Sequence, residues 1–415
     1  MWPDWADDGV GEFGYRVPLL EPEDACLSDP FADIRPYRDA EVPAVLRSLL
    51  GDRELLDAIA RLSLGKVAAL APALCRPAVR WYLERQLRDV SDVHGMQMVI
   101  KHYVEKVITD TTSGFSVSGL DDLDPSRPWL FMSNHRDIVM DPAFTNYALH
   151  RGGHQTVRIA IGDNLLTKPW VSDLMRLNKS FIVKRSPGSG RELLAASRHL
   201  ANYIRMSLQE ERAPVWIAQR EGRAKDGIDR TEPAVIKMLA MSRDKQAESF
   251  SEVVNALGIV PVSISYELDP CDGLKARELY LRQTTGSYAK AEQEDVTSIA
   301  RGIAGSKGRV HVAFGTPLAG EFADADQVAK EIDRQVVALY CLHPTNLYAY
   351  RMLHGDAVSI PGDLTLEEGS CSRARFEARI EALPAAHRPF ALAIYGNAVA
   401  SKLARTGVGA CAPSC

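Results

Sequence analysis

Residues 133–142 read Ser-Asn-His-Arg-Asp-Ile-Val-Met-Asp-Pro and place one histidine close to two aspartates. An imidazole titrates near neutral pH and can take a proton from a hydroxyl group, while a neighbouring carboxylate can fix its tautomer and orientation. His135 is therefore a candidate general base. Asp141 and Asp137 are alternative orienting groups, and we favour Asp141 because Asp141 and Pro142 also have the residue types of a helix N-cap and a first helical position.

Cations follow two later apolar runs. Ser180-Phe-Ile-Val ends in Lys184 and Arg185, and Val215-Trp-Ile-Ala-Gln-Arg runs into Glu221-Gly-Arg-Ala-Lys225. Guanidinium groups stay charged and match phosphate oxygens with two parallel hydrogen bonds. These cations are therefore candidate phosphate ligands, and a third run, Ile259–Glu267, reads as a further buried strand.

The elements that would position these groups alternate along the chain from about residue 115. Apolar runs predict strands, and amphipathic stretches between them predict helices. The predicted strands are 128–133, 157–161, 180–185, 213–219, 258–265 and 309–315. The predicted helices are 142–150, 165–177, 191–209, 233–256 and 290–304. This alternation predicts an α/β fold, a mainly parallel sheet flanked by helices, in which functional side chains gather at the carboxyl ends of strands.

The four segments, in this order, resemble the glycerolipid acyltransferase family. That family comprises the glycerol-3-phosphate and 1-acylglycerol-3-phosphate (lysophosphatidate) acyltransferases, which share an Asn-His-x4-Asp block and a Glu-Gly-Thr-Arg-Ser block. The resemblance spans roughly residues 115–320. Two departures are visible: five residues separate His135 from Asp141, and the third block lacks the threonine and has Ala224 in place of the serine. They indicate a distinct subfamily.

The resemblance implies roles for particular residues. His135 would act as the base, oriented by Asp141 or Asp137, while the second and third blocks would bind the phosphate of the acceptor. Glu221 would hold Arg223 or loop amides, and Gly222 would permit close backbone approach. The predicted substrate-binding residues are Asn134, Arg136, Lys184, Arg185, Glu221, Gly222, Arg223 and Lys225.

The predicted activity is O-acyl transfer from acyl-CoA or acyl carrier protein to the hydroxyl of lysophosphatidate in phospholipid synthesis. The acceptor supplies the hydroxyl, so we expect no acyl-enzyme, and the chain contains no Gly-x-Ser-x-Gly motif. No metal or bound cofactor is expected. Glycerol-3-phosphate acylation, a hydrolase, and a non-catalytic lipid-binding protein of the same fold remain alternatives.

Three regions are predicted. Residues 1–110 form an N-terminal helical region, 111–322 the acyltransferase α/β domain, and 323–415 a C-terminal helical extension, of which 405–415 is expected to be disordered. Within the first region, residues 64–88 alternate apolar stretches with five basic residues. Such a cationic amphipathic stretch can lie in a membrane interface or simply pack as a helix with a solvated basic face.

Composition limits the remaining possibilities. The 415 residues are 46% hydrophobic and 25% charged, a globular mixture, and the net charge of −5 argues against a nucleic-acid partner. The seven scattered cysteines form no zinc or disulfide pattern, and the first residues lack the basic and apolar regions of a signal peptide. We therefore expect a cytoplasmic protein, peripheral to the inner face of the cell membrane, without a membrane-spanning segment.

Overall fold

A seven-stranded sheet forms the centre of the molecule. The computed structural model describes residues 29–64, 72–185, 188–291, 294–356 and 369–406. In chain order the strands are β1 (Thr112–Ser118), β2 (Leu130–Ser133), β3 (Arg158–Gly162), β4 (Ser180–Val183), β5 (Val215–Ala218), β6 (Ile259–Tyr266) and β7 (Gly308–Phe314). Their spatial order is β1-β7-β6-β2-β5-β3-β4. Every neighbouring pair is parallel except β6 with β7, which confirms the predicted mainly parallel sheet.

Helices precede, connect and follow the strands. The N-terminal helices are α1 (Val42–Gly51), α2 (Arg53–Leu64), α3 (Pro72–Gln86) and α4 (Val93–Thr111). Between strands lie α5 (Met140–Arg151), α6 (Pro169–Leu177), α7 (Gly190–Gln209), α8 (Pro233–Leu239), α9 (Phe250–Leu257), α10 (Asp272–Thr285) and α11 (Glu294–Ala304). The C-terminal helices are α12 (Ala325–Leu339), α13 (Pro344–His354), α14 (Arg373–Glu381) and α15 (Arg388–Thr406).

The sheet is covered on both faces because successive strand residues point to opposite sides. Leu130 and Met132 of β2 pack with α7, α8, α9 and α12 in one core, whereas Phe131 packs with α5, β6 and β7 in the other. All four side chains of β2 are buried, as are three of four in β5. The two central strands therefore hold the loops at their carboxyl ends rigidly.

The structure differs from the sequence-based prediction at three elements. β1 was not predicted, because Thr112–Ser118 is mostly small and polar and reads as a loop. α10 was not predicted either. The single helix predicted at 233–256 is two helices, because Ser249 and Glu252 start α9 with a reciprocal capping box: the Ser249 side chain accepts from the Glu252 amide, and the Glu252 carboxylate accepts from the Ser249 amide.

The C-terminal helices pack directly on the α/β domain. Val328, Ile332 and Val336 of α12 are buried in the same core as β2, and the Asp324 side chain caps the start of this helix. α15 approaches the loop after β5 so closely that a Cβ on Gly227 would lie 2.2 Å from the carbonyl oxygen of Ile394. This contact brings the C-terminal region to the back of the candidate site.

The N-terminal region is helical, as predicted, and Pro43 lies in the first turn of α1. No helix within the described ranges is long and apolar enough to cross a membrane. Most of the predicted amphipathic stretch lies in α3, but residues 65–71 fall outside the described residues. Residues 1–28, and all but two residues of the tail predicted to be disordered, also fall outside the described residues.

Candidate active site

His135 lies in the loop that follows β2, between the carboxyl ends of β5 and β6. Its ring is 14% exposed and lines a cleft, with Trp216 of β5 packed edge-to-face against it at 5.7 Å between centroids. Nδ1 lies 2.8 Å from Oδ2 of Asp141. Within the described residues Nε2 has no hydrogen-bond partner. The ring is thus fixed on one side and open to the cleft on the other.

Asp141 is fully buried and receives four hydrogen bonds. Besides the His135 ring, its Oδ2 accepts from the backbone amides of Arg136 (2.6 Å) and Asp137 (2.9 Å), and its Oδ1 accepts from the Tyr266 hydroxyl (2.6 Å). An ionised carboxylate only accepts, so Nδ1 carries the proton and Nε2 keeps its lone pair. Burial, and then the charge of Asp141, raise the pKa of Tyr266 well above its ordinary value, which keeps it a donor.

Asp137 has a different function in the loop. Its Oδ1 accepts from the amides of Val139 (3.0 Å) and Met140 (2.9 Å), and the first turn of α5 begins there. The prediction that Asp141 is the N-cap and Pro142 the first helical residue is therefore wrong, because α5 starts at Met140 and Val139 is its N-cap. Burial, and then the nearby charge of Asp141, raise the pKa of Asp137. Between the two candidates, the ring of His135 bonds to Asp141.

Asn134 and Arg136, on either side of His135, turn away from the cleft. Asp229 Oδ2 accepts from Asn134 Nδ2 (3.0 Å) and from Arg136 NH2 (2.6 Å). Asn134 also bridges to β6 through the backbone of Ile264. Burial disfavours the charge of Arg136, but Asp229, Tyr340 and Asp269 together raise its pKa above the ordinary value. Both residues were predicted to bind substrate; neither lines the cleft, and their hydrogen bonds join the loop to Asp229 and β6.

The two cations after β4 diverge. Arg185 lines the cleft, and its NH1 lies 3.4 Å from Glu221. Gly162 leaves the space for this side chain, since a Cβ there would lie 2.3 Å from Arg185 Nε. Lys184 points elsewhere: its Nζ donates to Asp33 at 2.6 Å, and it is not among the residues lining the cleft.

The loop after β5 returns to the histidine. The Ala224 amide donates to the His135 carbonyl oxygen at 2.8 Å, and Gly222, Arg223 and Lys225 line the cleft. Gly222 has φ +71°, and a Cβ there would meet nothing within 4 Å. Its glycine is therefore explained by the left-handed backbone conformation, and not by the predicted close approach. Glu221 contacts Arg185 rather than Arg223.

Lys225 and Arg223 have different environments. Lys225 forms an ion pair with Glu278 of α10, and burial lowers its pKa despite that partner. Among the described residues, no hydrogen bond or ion pair engages the Arg223 guanidinium. Arg223 is thus the cation most available to an anion in the cleft.

The sequence-based prediction missed three cations that line the same cleft: Lys101 of α4, Arg220 and Lys290. Arg220 lies 4.0 Å from Glu232, and its Nε is buried without a hydrogen-bond partner among the described residues. Lys290 precedes α11 and pairs with Asp295 at 2.7 Å. Arg220 could have been predicted as a site residue, because it follows an apolar strand as Arg185 does. Lys290 lies in a polar loop, where no such pattern indicates a site residue.

The cleft itself combines an apolar wall with a cationic rim. It encloses about 280 Å³, and α4, α5, β3 and α6 supply apolar side chains, among them Ile100, Val104, Ala143, Ile161 and Met175. Its cations are Lys101, Arg185, Arg220, Arg223, Lys225 and Lys290. His135 lies in the same cleft as the apolar wall and the cationic rim. This arrangement suits a ligand with an apolar chain and an anionic group.

Comparison with known proteins gives a family match. The model of the Acyltransferase family matches residues 114–265, from β1 to within β6. The resemblance found in the sequence is therefore confirmed over this range. The crystal structure of the 1-acyl-sn-glycerophosphate (LPA) acyltransferase PlsC from Thermotoga maritima is 14% identical, with a TM-score of 0.35, over 69% of this chain and 95% of that chain. No curated protein sequence matches this chain.

Proposed function

Since residues 114–265 match the model of the Acyltransferase family, we propose that this protein transfers a fatty acyl group from a thioester to the hydroxyl of a phosphorylated glycerol acceptor. The observation that carries the proposal is the His135 ring, fixed by Asp141 on Nδ1 and open on Nε2 to a cleft with an apolar wall and a cationic rim. Lysophosphatidate is the preferred acceptor, because the cleft offers surface for its acyl chain as well as for its phosphate.

In the proposed reaction, Nε2 of His135 removes the proton of the acceptor hydroxyl while its oxygen attacks the thioester carbonyl carbon. Asp141 stabilises the imidazolium that forms, because it accepts the Nδ1 proton in a buried environment. The tetrahedral oxyanion then collapses, the carbon–sulfur bond breaks, and the leaving thiolate takes the proton from the imidazolium. The products are an ester and a free thiol, and no enzyme side chain is acylated.

Arg185, Arg220 and Arg223 are proposed to hold the acceptor phosphate. All three line the cleft, and Arg223 has no ion-pair partner within the described part of the chain. The ion pair of Arg185 with the 66% exposed Glu221 is weak enough to yield to a phosphate. Each arginine can present two parallel donors to phosphate oxygens. The predicted contribution of Lys184 is not part of this proposal, because that side chain points to Asp33.

The acyl chain that the donor transfers is proposed to lie along the apolar wall between α4 and β3. Each methylene group moved from water to such a wall stabilises the bound state by about 0.8 kcal/mol. The same wall would receive the acyl chain of acyl-CoA or of acyl carrier protein, so both thioesters are proposed donors.

We further propose that α3 attaches the protein to the membrane surface, consistent with a cytoplasmic protein at the inner face of the cell membrane. Leu74 and Trp81 are 81% and 63% exposed, and their spacing of seven places them on one face of the helix. Arg80, Arg85 and Arg88 are exposed nearby. Exposed apolar side chains beside arginines suit the boundary between acyl chains and anionic headgroups.

The test is product formation by the purified protein. Acyl-CoA and acyl carrier protein thioesters are offered separately with lysophosphatidate, glycerol-3-phosphate or no acceptor, and products are identified by mass spectrometry. Phosphatidate formed only with lysophosphatidate would support the proposal. Thiol release that is equal with and without acceptors would indicate a hydrolase and refute it.

A further inference from the structure

A second group of charged residues lines the cleft on the side of α10 and α11. We call Lys225, Lys290, Glu278 and Asp295 the α10–α11 charge group. Lys290, Glu278 and Asp295 lie beyond residue 265, outside the range that matches the acyltransferase family. Lys225, Lys290 and Asp295 nevertheless line the same cleft as His135. The segment between β6 and β7 thus adds ionic groups to the site.

Glu278, Lys290 and Asp295 of this group follow β6 in the chain, whereas Lys225 follows β5 and Arg185 follows β4. In the sheet, β4 is the edge strand beyond β3 and β5, and Arg185 follows it. β6, which leads into α10, lies on the other side of β2. The cleft beside His135 therefore receives cations from separate segments of the chain. Two anionic groups could bind in it together.

One ion pair of this group is shared with a further cation, and the other is exposed. Glu278 is 3% exposed and accepts from both Lys225 and Arg282, the latter at 3.0 Å, so one carboxylate serves two cations. Lys290 and Asp295 form a separate pair with side chains that are 43% and 26% exposed. Exposed ion pairs contribute about 0–1 kcal/mol, so an anionic ligand with better geometry can take Lys290 from Asp295.

We propose that Lys225 and Lys290 form an anion subsite for the phosphate of the donor's 4′-phosphopantetheine arm. This inference rests on the proposed function, since acyl transfer brings two anionic substrates to His135. Arg185, Arg220 and Arg223 are assigned to the acceptor phosphate, which leaves Lys225 and Lys290 for the donor. Coenzyme A and holo-acyl carrier protein both carry this phosphate. In the free protein, Asp295 competes with the donor phosphate for Lys290.

If Lys290 binds the donor phosphate, substitutions of Lys290 and of its ion-pair partner Asp295 should change donor affinity in opposite directions. Lys290→Ala removes a charged donor and should weaken donor binding about tenfold, the usual scale for a charge-assisted hydrogen bond. Asp295→Asn removes the competitor and should tighten binding about threefold, the scale of an exposed pair. If the pair only stabilised the start of α11, both substitutions would weaken binding or leave it unchanged.

The measurement is calorimetric binding of coenzyme A and, separately, of holo-acyl carrier protein to the full chain without acceptor. Lys168→Ala is the matched control: Lys168 is 49% exposed, pairs with Glu54 at 2.8 Å and does not line the cleft. The control should bind the donor as the wild type does. The donor whose binding responds to the Lys290 and Asp295 substitutions, coenzyme A or holo-acyl carrier protein, is the source of the phosphate.

The outcomes separate this inference from the proposed function. Donor binding that depends on Lys290 in a protein without acyl transfer would uphold the subsite and refute the transfer. Acyl transfer with donor affinity unchanged in Lys290→Ala would refute the subsite alone. The subsite is also refuted if Lys290→Ala raises KM for the acceptor but not for the donor, or if the wild type binds neither donor.

Discussion

The backbone amide of Ala224 donates a hydrogen bond of 2.8 Å to the carbonyl oxygen of His135. This bond joins the loop after β5, which carries Gly222, Arg223 and Lys225, to the loop after β2, which carries the candidate base. Ala224 is 1% exposed, so the bond is shielded from water. The phosphate-binding candidates and the histidine are therefore held in one rigid unit, although 89 positions separate the two bonded residues.

Substitution of the two aspartates should have unequal effects. Asp141→Asn disturbs four hydrogen bonds and the ionic partner of His135, so we expect kcat to fall at least about 10²-fold. Asp137→Asn keeps a carbonyl oxygen for the Val139 and Met140 amides, so kcat should stay within about threefold of the wild type. Steady-state kinetics, with circular dichroism as a check of folding, measures both. Greater loss of kcat in Asp137→Asn would refute the assignment of Asp141.

Removal of the cleft arginines should weaken acceptor binding. Arg223→Ala and Arg185→Ala should each raise KM for the phosphorylated acceptor about tenfold, because each removes a charge-assisted hydrogen bond to phosphate. Lys184→Ala is the control, since Lys184 follows β4 as Arg185 does but bonds to Asp33. Its KM should match that of the wild type. An effect of Lys184→Ala equal to that of Arg185→Ala would contradict the proposed phosphate site.

Asp229 should be a positioning residue for the catalytic loop. Asp229→Asn leaves the buried guanidinium of Arg136 without its ionic partner, which typically costs about 3–5 kcal/mol of stability. Because Asn134 and Arg136 flank His135, kcat should fall while KM for the acceptor stays unchanged.

Asp333→Asn is the control for Asp229, because Asp333 accepts two hydrogen bonds from Thr231 nearby but none from the histidine loop. This control should lose stability without losing kcat. Denaturant unfolding and kinetics on both variants provide the comparison. Equal kcat in Asp229→Asn and the wild type would show that the loop does not depend on Asp229.

The exposed face of α3 should be required for membrane binding. A double substitution, Leu74→Asp with Trp81→Asp, should lower binding to anionic phosphatidylglycerol vesicles at least about tenfold, because each apolar side chain contributes about 1.5–3 kcal/mol when buried. Co-sedimentation measures the bound fraction. Val296→Asp, on α11 and also 63% exposed, is the control and should bind as the wild type does. Undiminished binding of the double variant would exclude α3 as the membrane contact.

Much of the fold was predictable because its signals are local. Apolar runs such as Leu130–Ser133 and Ile259–Tyr266 mark the central strands, and the order of the sequence blocks indicates their common end of the sheet. β1 could not be predicted, because Thr112–Ser118 has little hydrophobic pattern and is a strand only through its pairing with β7. The Ser249–Glu252 capping box, by contrast, was a readable signal.

The candidate site was predictable in its residue types but not in their directions. His135, Arg185 and Arg223 do line one cleft, whereas Asn134, Arg136 and Lys184 point to partners that lie far away in sequence, Asp229 and Asp33. Lys290 reaches the cleft only because the segment between β6 and β7 folds back to it. Such contacts depend on tertiary packing, which a motif does not encode.

The role of His135 as the general base is tested by the rate of acyl transfer of His135→Ala. The assay compares this variant with the wild type, using thioester donor and lysophosphatidate at saturating concentrations, after circular dichroism has shown that both are folded. We expect kcat to fall at least about 10²-fold, the usual contribution of a general base. A folded variant with near-wild-type kcat would contradict the assignment of His135 as the base.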